Sequence, residues 1–225
     1  MAIAFDAQSK DAATFQSGTS FSWSHTCTGS DRYLIVSIMS YSNQGVIIAP
    51  TYNGVPMTLI RATSIPATVN RLWLYGIAAP ATGSNVIGFS FSTSNGFVSA
   101  VATSYTGVDQ TTPIDISKIQ NLTPSSSAAY SPTITTTVNN TWVVGSFRAE
   151  QAGTLGITTG TLRDGAGGIG MFNWDSNGVV SPAGVFTTTI TRNSSNDRFS
   201  GILAALAPAG GGGGPTARLG VVMMM

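Results

Sequence analysis

His25 is the sole histidine of the chain and Cys27 its sole cysteine, two positions apart. A Ser-His-Asp or Cys-His system needs its imidazole within hydrogen-bond reach of the nucleophile. In "FSWSHTC", strand alternation puts Phe21, Trp23, His25 and Cys27 on one face and Ser20, Ser22, Ser24 and Thr26 on the other. An aromatic face of that kind belongs to a core. His25 is therefore expected as a buried, hydrogen-bonded packing residue. One Cys and one His also fall short of the four ligands of a structural zinc site. Glycoside hydrolysis needs two carboxylates flanking the scissile bond. Glu150 is the only glutamate, and "FRAEQAG" offers it no acidic partner at strand spacing. Asp109 with Asp115, or Asp164 with Asp175, would meet only through the fold. These acids and Asn177 are oxygen donors for calcium, but none follows an EF-hand spacing. The densest cluster, "NWDSNG" (173–178), reads as a tight turn closed by Asn177-Gly178. "RDGAGGIG" lacks the Lys-Ser/Thr ending of a phosphate loop and any following helix. No catalytic, cofactor or metal site is expected.

Carbohydrate binding is the chemistry that fits best among small ligands. Sugars stack on exposed aromatic rings with Asn and Asp hydrogen bonds beside them. Trp174, flanked by Asn173 and Asp175, is the candidate glycan contact, with Tyr41, Tyr52 and Tyr105 at strand ends. Trp23, Trp73 and Trp142 alternate within apolar strands and are assigned to the core.

Composition narrows the classes further. Hydrophobic residues make up 42% of the 225, enough for a core, whereas charged residues are 8% and the net charge is +1. An ordinary globular protein carries roughly 25% charged residues. Such a chain has no basic field for nucleic acid and no polybasic patch for a membrane surface. "MAIAFDAQSK" has no basic or apolar leader pattern, so no secretory signal is expected, and the three Asn-X-Ser/Thr sequons are read as chance. The longest apolar runs are too short to span a bilayer. The balance suits virion surfaces and self-assembling proteins.

The elements that must position these residues are all strands. "YLIVSIM" (33–39) is apolar on both faces, as a central strand is. "IAPTYNGVPMTLIRAT" reads as a hairpin turning at Asn53-Gly54. Residues 70–78, 84–92 and 96–105 follow as a meander, with "TSN" as the last turn. Thr106–Pro132 reads as a long polar loop. Strands resume at 133–138, 141–149, 184–192 and 198–209. "TYNGV" and "SYTGV" share a local flavour, but no strict repeat is evident. The expected fold is an all-β, antiparallel β-sandwich of jelly-roll type over 1–209, with a Gly-rich linker and apolar C-terminal arm over 210–225.

The segments "TYNGVPMTLI", "LWLYGIAAPATGSNVI", "SYTGVDQTTPID", "TWVVGSF" and "ILAALAPA", in that order, resemble phage and environmental jelly-roll (concanavalin-like) β-sandwich virion surface proteins. The resemblance covers most of residues 19–209. It implies a virion surface or adhesive module and supplies no active site.

The tail adds a mechanism. Gly210–Gly214 reach at most ~17 Å, and beyond Pro215 lies the apolar stretch Leu219, Val221, Val222, Met223, Met224 and Met225. Exposed, that stretch would promote aggregation. A loose tether ending in adaptable Met side chains suits docking onto a partner in preference to the alternative, packing back on its own sandwich. The expected function is a non-enzymatic phage virion structural protein. Specifically, it is a capsid decoration (cement) protein on the virion surface, anchored by its arm to the major capsid protein or another virion protein. A homo-oligomer, a trimer by preference, is expected. The alternatives are a glycan-binding adhesin or fibre module and, less favoured, a polysaccharide hydrolase.

Overall fold

The computed structural model describes residues 1–11, 16–40, 47–64, 71–125, 129–149, 155–165, 171–192 and 197–210. Every regular element among them is a strand. The first half of the chain supplies β1 (Ala4–Lys10), β2 (Gln16–Cys27), β3 (Tyr33–Ser40), β4 (Ile47–Tyr52), β5 (Val55–Pro56), β6 (Thr58–Ser64), β7 (Arg71–Ala78) and β8 (Gly83–Thr106). The second half supplies β9 (Ile114–Ser125), β10 (Ala129–Tyr130), β11 (Thr133–Thr135), β12 (Trp142–Ala149), β13 (Leu155–Ile157), β14 (Thr161–Gly165), β15 (Met171–Asp175), β16 (Val185–Thr187), β17 (Ile190–Arg192) and β18 (Asp197–Leu206). All pairings are antiparallel.

Local chemistry explains the elements that sequence reasoning found. β3 is buried along its whole length, as its two apolar faces require. β2 alternates as expected, with Phe21, His25 and Cys27 buried and Ser22, Ser24 and Thr26 exposed. The β4–β5 hairpin turns at Asn53 (φ 51°) and Gly54 (φ 76°), the two residue types that tolerate left-handed backbone best.

Three expectations are corrected. Residues 83–106 form one bent strand rather than two with a turn. The β2–β8 register jumps from Gly18 opposite Asn95 to Ser20 opposite Ser90, and Phe97 takes φ 54°. The excess residues on β8 bend it, so its first half lies between β2 and β4 while its second half lies between β1 and β3. The span 106–132 is not a loop, because β9 runs through it as the edge partner of β18. The span 184–192 is split between β16 and β17, which join different sheets.

The antiparallel sheets found over 1–209 enclose more than one core. Three separate cores divide that span. One lies inside the first half (Phe21, Leu34, Val36, Ile38, Tyr52, Trp73, Tyr75, Phe89). One lies inside the second (Tyr130, Val143, Phe147, Phe172, Trp174, Phe199). The third lies between the halves (Tyr33, Ile35, Met39, Leu74, Tyr105 against Trp142, Val144, Ile202, Leu206). The molecule is thus two two-layered β units packed through their central sheets.

The two units repeat each other. The first central sheet runs β1-β8-β3-β7-β6, and the second runs β9-β18-β12-β15-β14. Irregularities recur with the strand order. Asp6 is the extra residue of a bulge between Phe5 and Ala7, and Asp115 is the extra residue between Ile114 and Ile116. The Asp6 carboxylate accepts from the Thr28 amide at 2.9 Å and from the Thr28 hydroxyl, 22 positions on. Asp115 accepts from the Thr137 amide at 2.8 Å and from the Thr137 hydroxyl, again 22 positions on. The turns that follow hold Asp31 (φ 49°) and Asn140 (φ 61°) at matching places. Ile60 on β6 and Arg163 on β14 are again matching bulge residues.

Candidate functional site

The residues singled out as a sugar site belong to the interior. Trp174 on β15 is 1% exposed, stacked on Phe147 (6.2 Å between ring centroids) and on Phe186 (5.9 Å). A ring covered on both faces has none left for a sugar. Asn173 and Asp175 point the other way, into the layer between the units, and are also buried. The reading of Trp174, Asn173 and Asp175 as a glycan contact is therefore corrected. The same holds for Tyr52 and Tyr105, each 1% exposed. The turn expected at Asn177 is present, with φ 49° and its amide donated to Asp175 at 2.9 Å. Tyr41, Glu150 and the arm residues Leu219, Val221, Val222, Met223, Met224 and Met225 lie outside the described residues.

Asp175 is the centre of a polar lock between the units. Arg163 donates to it twice, Nε at 2.7 Å and Nη2 at 2.9 Å, in the bidentate geometry that guanidinium and carboxylate favour. The Tyr105 hydroxyl of the first unit donates at 3.0 Å. Burial first, and the Asp175 charge second, hold that phenol's pKa well above its ordinary value. The Arg163 guanidinium also lies 3.9 Å over the Phe5 ring of the first unit. Next to it, Lys10 reaches across to Asp164 at 3.1 Å. At the matching place in the first unit stand Ile60 and Gly76. A Cβ on Gly76 would meet the Tyr33 hydroxyl at 2.1 Å, so Tyr33 occupies the space a side chain would need there. Other acids, Asp6, Asp109 and Asp115, serve turns and bulges. Asp109, for instance, accepts from the Thr111 and Thr112 amides at 2.8 Å each, and those bonds, the Thr112 amide foremost, lower its pKa. Among the described residues no group of three or more His, Cys, Asp or Glu side chains is placed to hold a metal ion.

His25 sits where alternation placed it, 1% exposed. Its partner, missed from sequence, is Ser9 on β1. Trp23 Nε1 donates to Ser9 Oγ at 2.9 Å, and Ser9 Oγ lies 2.8 Å from His25 Nδ1. Burial, opposed by the nearby Asp6 charge, lowers the His25 pKa to about 4. A neutral imidazole sealed from water pins β1 to β2. Burial likewise raises the Cys27 pKa, which keeps the thiol protonated.

Two surface features remain. The outer layer of the first unit is built from β2, the first half of β8, β4 and β5, and none of these segments contains an Asp, Glu, Lys or Arg. Ser22 stands opposite Gly88, Ser24 opposite Val86 and Ile48 opposite Ser90. The outward side chains are Ser and Thr, with Val86 55%, Ile48 59% and Val55 53% exposed at or near them. The second feature is a cleft of about 510 Å³ lined by Met1, Ala2, Asn140, Val179, Pro208, Ala209 and Gly210. It lies where residue 210 leads into the Gly-rich tail. The Met1 amino nitrogen donates to Ala209 O at 2.8 Å, the Ala209 amide to Gly107 O at 2.8 Å, and Val108 and Pro208 form a bridge. Both features are candidate docking surfaces. No family model and no curated protein matches the chain.

Proposed function

We propose that this protein is a non-enzymatic structural component of a phage virion, a capsid decoration protein whose arm, residues 215–225, docks on the major capsid protein or a neighbouring virion protein. Each β unit is read as a jelly roll, a reading supported by the strand orders β1-β8-β3-β7 and β2-β8-β4-β5. The observation that carries the proposal is the charge-free outer layer. Soluble proteins keep roughly 25–35% charged residues on their surfaces to stay apart. A whole sheet face with none, and with Ile48 and Val86 exposed on it, suits lateral packing against protein. Lateral contacts of that kind go with the proposed homo-oligomer, a trimer at a symmetry point of the shell.

The test is co-sedimentation with shells assembled from a phage major capsid protein. Ser24→Glu with Val86→Lys should weaken binding at least tenfold while leaving the fold intact by circular dichroism. Binding unchanged in that variant and in a chain ending at Gly210 would sink the proposal.

A further inference from the structure

We infer that the cleft at residue 210 is the seat of the chain's own apolar segment, Leu219–Met225, when no partner is engaged. The inference rests on the reading above only in taking that segment as the docking element. Three observations support it. The cleft has no charged side chain in its lining, its charge being the Met1 ammonium already bonded to Ala209 O, and its rim carries two large apolar groups left in water, Met1 at 71% and Val179 at 47% exposed. Its volume of about 510 Å³ lies within the ~300–1,000 Å³ of sites that bury an apolar ligand. The segment starts beside it, because Gly210 is itself part of the wall.

Reach and concentration then favour the same chain over a second copy. From Gly210 to Leu219 the backbone spans up to ~30 Å. For a Gly-rich composition of this length the random-coil root-mean-square span is about 16 Å, which sets an effective local concentration in the millimolar range. A millimolar-grade apolar contact therefore suffices to seat the segment at home. A second copy at micromolar concentration competes about a thousandfold less well. The wall is braced for this. The Met1–Ala209 and Ala209–Gly107 hydrogen bonds fix residues 1 and 209 at the cleft. Docking to a shell then draws on the segment that fills the cleft, so the two seats compete.

The experiment pairs Val179→Cys with Val222→Cys in the full chain, Cys27 being buried and left in place. Mild oxidation should give an intramolecular disulfide in monomers, at a yield unchanged on dilution. Hydrogen exchange supplies a second reading. A chain ending at Gly210 should exchange at the Val179, Val180 and Ala209 amides at least tenfold faster than the full chain. Disulfide-linked dimers whose yield falls on dilution would overturn the assignment to the same chain. No cross-link together with equal exchange in the two chains would overturn the seat altogether. Shell binding lost with the cross-link retained removes the decoration reading alone, and the reverse result removes this one alone.

Discussion

Removing the charge of Asp175 tests whether the polar lock between the units holds them in register. The carboxylate is fully buried and accepts four hydrogen bonds, two from Arg163, one from Tyr105 and one from the Asn177 amide. Asp175→Asn keeps the shape, loses the charge, and turns one acceptor into a donor facing donors. Arg163, its side chain 14% exposed, is left with an unmatched charge between the units. Breaking a buried pair from one side costs about 3–5 kcal/mol. For a chain of this size that lowers Tm by roughly 6–20 °C. Arg163→Met should cost a similar amount, since it strands the carboxylate. The double variant should be milder than the sum by at least ~1.5 kcal/mol, because each single change leaves the other charge unpaired. Urea unfolding of the four proteins gives the cycle. A cost below ~1 kcal/mol for Asp175→Asn, or strictly additive singles, would show that apolar packing alone sets the register and would refute the argument.

Three further outcomes follow from the packing. His25 binds its proton at about pH 4 folded and near 6.5 unfolded, so the unfolded state takes up more protons in between. The His25 contribution to stability should be lost as pH drops from 6.5 to 4, by about 3 kcal/mol, with further loss at lower pH as Asp6 and Asp109, whose pKa values the fold lowers, take up protons; a urea-midpoint series shows this, and His25→Gln should flatten the window from 6.5 to 4. Asp6→Ala and Asp115→Ala should each cost about 1.5–3 kcal/mol and add in the double variant, as charged acceptors at equivalent places in separate units do; strong non-additivity by calorimetry would contradict the repeat. Trp174→Ala should cost about 3–5 kcal/mol as a core truncation, and a stable variant altered only in glycan-array binding would overturn its placement in the interior.

What was legible in the sequence was local. The alternation of "FSWSHTC", the two-sided apolarity of β3 and the Asn53-Gly54 turn each depend on a few adjacent residues, and each held. What was missed depended on pairing. β9 reads as loop because an edge strand faces water on one side, and Ser117, Lys118, Gln120 and Asn121 dilute its apolar period. β8 reads as two strands because its register jump looks like a turn. Asn173 and Asp175 made Trp174 look like part of an exposed turn, because polar neighbours usually mean water. Here both are buried between the units, and Asp175 takes its partners from Arg163 and Asn177 of its own unit and Tyr105 of the other. The repeat stayed hidden because what recurs is bulges, turn dihedrals and the Asp–Thr pairs rather than a run of identities. Asp6 with Thr28 and Asp115 with Thr137 were the available signal, matched in type and interval.

The Arg163–Asp175 pair has a consequence for the molecule as a building block. Two identical subunits packed through these sheets would carry that ion pair twice and would present the same face up and down. In one chain holding both copies, the pair exists on one side while Ile60 and Gly76 hold the other. The two outer layers are likewise free to differ, and only the first lacks charge throughout, Arg192 lying in the second. A twofold particle has no sense of inward and outward. This one has the difference between its two sides built into its sequence.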